Sequence, residues 1–233
     1  MDFDRMLRYC AALEQHNDRG WFHEHHGQYE EARRDFIELC ELTCFAIMDS
    51  APALSDDLMY SHPKDWMYRI ARDMRYYKNQ PPYIPAFRAY LSADKKSWLP
   101  IGYYLRIGRD SSCFGTGLWC QDTASTNLAR DAIMANYEEF GEVLSRCGVP
   151  LTGDKLKRMP RGYPEGHPAA DWVKHKNWMV VEDIPDEALT SFDHFTALVR
   201  DRVKRMEPVR LFLLSAARGE KSRKRILEEF YGA

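Results

Sequence analysis

Ile101-Gly102-Tyr103-Tyr104-Leu105-Arg106-Ile107, followed by Gly108-Arg109-Asp110-Ser111 and then Ser112-Cys113-Phe114-Gly115-Thr116-Gly117-Leu118-Trp119, is the stretch on which the fold turns. Two short runs rich in aromatic and β-branched residues flank a turn sequence, the pattern of an antiparallel hairpin. Gly115 and Gly117 allow a bulge, or close approach by another backbone or a ligand. Residues 66–70 and 86–91 upstream, and 178–181 downstream, are runs of the same kind. Together they predict an antiparallel meander of about four to six strands.

Outside this region the period changes to that of helices. Phe3, Met6, Leu7, Cys10 and Leu13 lie on one helical face, and the turn-rich His16-Asn17-Asp18-Arg19-Gly20 ends that helix. A long amphipathic helix is expected from about Trp21 to Met48, closed by Asp49-Ser50-Ala51-Pro52. Another is expected from Thr123 through Leu144, ending near Gly148 and Pro150. His167-Pro168 reads as the start of a short helix through Val173. Ser191 is placed to cap a last helix, which Pro208 should kink or end. The fold class is therefore α+β, a central antiparallel sheet covered by long amphipathic helices. A single domain over 1–233 is expected, with a basic tail from about residue 218.

The chain has 233 residues, is 45% hydrophobic and carries a net charge of -2, enough apolar content for a core and no global attraction for nucleic acid or anionic membranes. Acidic residues stand where a signal peptide would be basic, and every apolar stretch is interrupted, so a cytoplasmic protein with no membrane partner is expected. The six cysteines form no Cys-x-x-Cys pair, which points to reduced, buried thiols. His23 and His26 share a helical face but lack a third ligand, and no metal site is expected. No phosphate-loop, dinucleotide or nucleophile-elbow motif is present, and the sequence names no cofactor and no oligomeric state.

One cluster stands out against the balanced charge. Arg69, Arg72, Arg75 and Lys78 recur every three residues and run into Tyr76-Tyr77 and Pro81-Pro82-Tyr83. If a strand ends near Arg72 and the chain turns, several guanidinium groups converge, and such forks suit carboxylate or phosphate oxygens. Asp73 could orient one arginine or accept a proton, and Tyr83 could line the wall. Lys157 and Arg158, in a Gly- and Pro-containing loop, could close over the ligand. His167 is the other candidate proton-transfer group. The alternatives are structural pairing of these arginines with Asp56, Asp57 or Asp73, and an open surface for nucleic acid or protein. Nucleic acid ranks behind a small anionic ligand as partner.

Arg69-x-x-Arg72-Asp73-x-Arg75-Tyr76, with Pro82-Tyr83, resembles the Arg-x-x-Arg-Asp-x-Arg-Phe-x-x-x-Lys-x-Pro-Tyr-Lys signature of a bacterial family, domain of unknown function family 2461. The likeness extends to Asn17 with Trp21-Phe22, to Gly102-Tyr103-Tyr104-Leu105 and Gly115-x-Gly117-Leu118-Trp119, and to Leu156-Lys157-Arg158-x-Pro160-Arg161-Gly162-Tyr163 with His167-Pro168. Gln80 and Ile84 stand where the signature has lysines, and Tyr76 replaces phenylalanine. The resemblance implies membership of a family without an established activity.

Overall fold

The computed structural model describes residues 1–54, 58, 62–92, 101–120 and 122–218. Five strands, β1 (Phe87–Leu91), β2 (Ile101–Ile107), β3 (Ser112–Leu118), β4 (Leu151–Thr152) and β5 (Trp178–Ile184), form one antiparallel sheet in the order β1-β2-β3-β5-β4. Eight α-helices accompany it among the described residues: α1 (Phe3–Gln15), α2 (Arg19–Glu24), α3 (His26–Ser50), α4 (Pro63–Trp66), α5 (Thr123–Ala135), α6 (Tyr137–Cys147), α7 (Ala170–Val173) and α8 (Phe192–Arg218). The protein is α+β, and β2, the turn and β3 fall where the hairpin pattern places them. None of the described helices is long and apolar enough to cross a membrane.

Strand alternation divides the sheet into two chemically different faces. Phe87, Ala89 and Leu91 of β1 lie on one face with Tyr103, Leu105, Phe114, Leu118, Trp178 and Val180, all buried. Helix α8 packs on this face, and the Tyr103 hydroxyl donates to Glu207 Oε2 at 2.7 Å. Glu207 in turn holds Arg210 with two 2.6 Å bonds, a buried ion pair within α8. Arg88 and Tyr90 of β1, Tyr104 and Arg106 of β2, and Met179 and Val181 of β5 belong to the second face.

Several elements differ from the pattern-based expectation for local reasons. The segment from Trp66 to Ile70 is not a strand. The His62 ring accepts from Lys64 N and Pro63 occupies the first turn, so α4 forms there, and Met67 makes only an isolated bridge to Ala89. The helix expected from Trp21 to Met48 is two helices meeting at His25, whose Nδ1 bonds to the Trp21 carbonyl while its ring stacks on Trp21 at 4.2 Å. The helix from Thr123 is likewise interrupted at Asn136, whose side-chain amide donates to the Ala132 carbonyl and competes with the helical ladder. Pro208 does not end α8, because Val203, Met206, Val209, Phe212 and Leu213 around it are all buried and packing outweighs one lost backbone bond. Strand β4, only two residues long, carries no periodicity to read.

The proposed basic tail lies almost wholly beyond residue 218, outside the described residues, as do Asp56 and Asp57. The cysteines are free thiols, all buried except the half-buried Cys120.

Candidate functional site

The Arg69–Lys78 segment runs irregularly alongside β1. It is held by the Met67 bridge to Ala89, by Ala71 bridged to Tyr83, and by Arg72 N donating to the Pro82 carbonyl at 2.8 Å. Arg72 Nη1 donates to the carbonyls of Pro81, at 2.8 Å, and Tyr83, so its guanidinium ties the 72–83 loop shut. Arg75 is held by Asp73 in a bidentate pair with contacts of 2.6 and 2.9 Å, and its side chain is 82% exposed. The Arg75 guanidinium and the Arg75 backbone N–H keep the Asp73 carboxyl below its ordinary value. Arg69 is exposed and lends its carbonyl to Arg88 Nη2 at 3.0 Å.

Tyr83 is an anchor between layers. It stacks on Phe22 at 4.2 Å, and its backbone exchanges hydrogen bonds with the Asn17 amide at 3.0 and 3.1 Å. His167 Nδ1 accepts from Ala169 N at 3.1 Å and its ring meets Tyr137 edge-on, a cap at the entry to α7. Lys157 and Arg158 are exposed on the loop after β4, at the opposite edge of the sheet from β1. That loop is tethered by Lys155 Nζ to Asp171 at 2.7 Å, Leu156 N to the Lys174 carbonyl at 2.8 Å, and the Tyr163 hydroxyl to Asp131 at 2.7 Å.

Arg72 and Asp73 do share a cavity, of about 410 Å³, and it is completed by two residues that charge spacing does not single out, Arg88 and Arg106. These two are direct cross-strand partners on the second face of the sheet. Each has a buried Nε with no hydrogen-bond partner. Arg88 has one long-range bond, to the Arg69 carbonyl, and lies over the Tyr68 ring at 5.4 Å, while Arg106 has one weak bond, to Ser111 Oγ at 3.3 Å. No carboxylate among the described residues pairs with Arg72, Arg88 or Arg106. Burial, with Arg106 and Arg72 nearby, pulls the Arg88 guanidinium below its ordinary value.

The fully buried arginines are treated differently from these two half-buried ones. Arg202 has Glu182 at 3.1 Å, Arg210 has Glu207, and Arg130 spends its guanidinium on the carbonyls of Val173 and His175. Buried charge is ordinarily paired because an unpaired donor forfeits its hydration. Arg88 and Arg106, half-buried with a buried Nε each, have no carboxylate partner among the described residues, and they adjoin each other.

Arg88 also borders a second cavity, of about 380 Å³, on the same face of the sheet. Tyr90 lies across the sheet there, its hydroxyl donating to the Gly117 carbonyl at 2.8 Å and accepting from Gly102 N at 3.0 Å. Gly102 and Gly117, register partners on β2 and β3, supply the backbone groups that hold it. Tyr68, Tyr104, Met179 and Val181 add apolar surface, and Trp119, 57% exposed, stands at the rim. The sequence signal for this site is the alternation within β1 and β2, where Arg88 and Arg106 occupy the positions facing away from the core.

Among the described residues no group of three or more His, Cys, Asp or Glu side chains is placed to hold a metal ion. Cys113, beside Arg106 in register, is pushed by burial to about 11 and is therefore a thiol at neutral pH.

No curated protein and no solved structure matches the chain. A family model described as "Conserved hypothetical protein" does match, over residues 5–212 of the 233, and it is the model of the family whose arginine signature Arg69–Tyr83 resembles. The chain thus belongs to domain of unknown function family 2461.

Proposed function

We propose that the protein binds a small anionic ligand, bearing a carboxylate or phosphate, in the cavity lined by Arg72, Arg88 and Arg106. The observation that carries this reading is the juxtaposition of Arg88 and Arg106 in cross-strand register, each with an unpartnered buried Nε and neither with a carboxylate among the described residues. Like charges directly opposite one another destabilise a sheet. An oxyanion between them converts repulsion into two charge-assisted interactions and supplies acceptors for the orphaned donors. Arg72 adds a third cation at the wall while its backbone contacts fix the loop. Asp73 serves to orient Arg75 and keeps that guanidinium turned from the cavity, so the anion meets three cations and one already neutralised carboxylate. A positioned, partly desolvated arginine cluster is a binding site first. Whether a reaction follows depends on the ligand.

Calorimetric titration with inorganic phosphate and with acetate tests the reading. Binding should be measurable in the wild-type protein and lost in Arg88→Met, with Lys157→Met binding as wild type does. Binding that survives Arg88→Met refutes the assignment.

A second reading has an observation of its own. Tyr76 is 80% exposed beside Arg75, with Tyr77 and Lys78 following, and exposed rings among cations suit stacked bases of a single strand. Binding of an oligonucleotide that falls steeply with salt and depends on Tyr76 would favour it.

A further inference from the structure

We infer that the natural ligand is not a bare anion but a flat, apolar body carrying one carboxylate or phosphate, laid across the Tyr90–Tyr104 surface with its charged end at Arg88. This rests on the anion-binding reading of the arginine cavity and extends it to the neighbouring one.

Three observations support the extension. The two cavities share Arg88, so a ligand whose anionic group sits between Arg88 and Arg106 has its remaining atoms directed along the same face toward Trp119. The second cavity is of a size that holds small organic molecules, a few hundred Å³. Its lining is mainly aromatic and aliphatic, with Tyr68, Tyr104, Met179 and Val181 around the buried Tyr90 ring. Inorganic phosphate alone would leave that surface wet. An aromatic ring would cover it and find offset or edge-on partners in the tyrosines and in Trp119.

The polar groups bordering this cavity are mostly committed to the protein itself. The Tyr90 hydroxyl is held by Gly117 and Gly102, Asn177 Oδ1 accepts from Cys120 N at 2.8 Å, and Thr152 Oγ1 donates to the Met179 carbonyl at 3.2 Å. A sugar, with a hydroxyl on nearly every carbon, would find few acceptors or donors here. A planar hydrocarbon would lose nothing. The chemistry therefore selects an aryl or similarly flat apolar phosphate or carboxylate.

Phenyl phosphate titrated beside inorganic phosphate, and benzoate beside acetate, make the test. In the wild-type protein each ring-bearing probe should bind roughly tenfold more tightly than its bare partner, the scale of one well-packed aromatic contact. Trp119 fluorescence should change with phenyl phosphate, and the change should be absent in Trp119→Phe. Val181→Phe, which fills the second cavity, should abolish the ring's advantage and leave inorganic phosphate binding as in wild type. Should that variant fold poorly, Trp119→Ala at the exposed rim carries the same comparison. If inorganic phosphate binds but phenyl phosphate binds no better, the flat-ligand inference is overturned and the anion site stands. If the ring's advantage survives both substitutions, the ring lies elsewhere and the inference fails. If neither probe binds, both readings fall together.

Discussion

Replacing Arg106 with methionine should make the protein more stable in a buffer free of phosphate, sulfate and carboxylates, and less stable than wild type when phosphate is abundant. Arg106 faces Arg88 in register, and relief of a direct cross-strand like-charge pair gives roughly 0.2–1 kcal/mol. Removing a buried, unpartnered guanidinium Nε recovers on the order of 1 kcal/mol more. Against this stands the single 3.3 Å bond to Ser111 Oγ, about 0.5 kcal/mol at that length, while methionine retains most of the arginine stem's packing. The net is about 1 kcal/mol, a rise in Tm of roughly 2–4 °C for a domain of this size. Phosphate at a hundred times its Kd should stabilise wild type by about 2.7 kcal/mol and leave the variant unmoved, so the order of the two Tm values reverses across a phosphate titration. Scanning fluorimetry at constant ionic strength reads this directly, constant salt being needed because screening alone weakens the repulsion. A variant destabilised by more than about 1 kcal/mol without phosphate would show Arg106 to be structural, and equal gains from phosphate in both proteins would place the anion elsewhere.

Arg72→Met should behave in the opposite way, losing roughly 1–3 kcal/mol in urea denaturation even in anion-free buffer, because its guanidinium closes the loop onto the Pro81 and Tyr83 carbonyls. Arg210→Met should cost about 3–5 kcal/mol, since it takes the cationic partner from the buried Glu207 carboxylate; Glu207→Gln combined with Arg210→Met should cost less than the single change. His175, 2% exposed, is held below its ordinary 6.5 chiefly by burial, so the unfolded chain takes up a proton there before the folded one does. Stability should therefore fall as pH drops below about 6.5 toward the folded value, and His175→Gln should flatten that part of a Tm-against-pH curve. Under native conditions a thiol reagent should label the half-buried Cys120 before the other five cysteines, as counted by mass spectrometry.

Much of the architecture was legible because local signals and tertiary packing agree. The hairpin around Gly108–Ser111, helix α1 and the Ser191 cap, whose hydroxyl accepts from His194 N, each have a turn or cap residue beside a clear hydrophobic period. The helix breaks at His25 and Asn136 were hidden, since each depends on one side chain bonding a carbonyl four residues back, which periodicity does not report. The site was legible only in part. Three-residue spacing drew attention to Arg69, Arg72 and Arg75, but in an irregular segment spacing does not determine direction, and Arg75 turns to Asp73 while Arg72 turns to the loop. Arg88 and Arg106 each look like an ordinary polar position in an alternating strand. Their meaning depends on the register of β1 against β2, and the connection between those strands carries no short-turn sequence from which register could be read.

The glycines and the arginines of the second face do not carry equal weight as signs of function. A Cβ on Gly117 would lie 2.1 Å from the Trp178 carbonyl oxygen, at a φ of +142° that side chains avoid, and one on Gly115 would lie 2.3 Å from the Val180 carbonyl oxygen. Both are therefore demanded by the pairing of β3 with β5, with no ligand in view. Among the described residues no such backbone approach fixes the residue type at 88 and 106. Threonine or valine at either position would have higher strand propensity, no buried orphan donor and no like-charged neighbour. Two half-buried guanidinium groups kept side by side against these preferences are what the proposed oxyanion would answer in both geometry and charge. For that reason Arg106→Met, rather than any glycine variant, separates a binding surface from a packing accident.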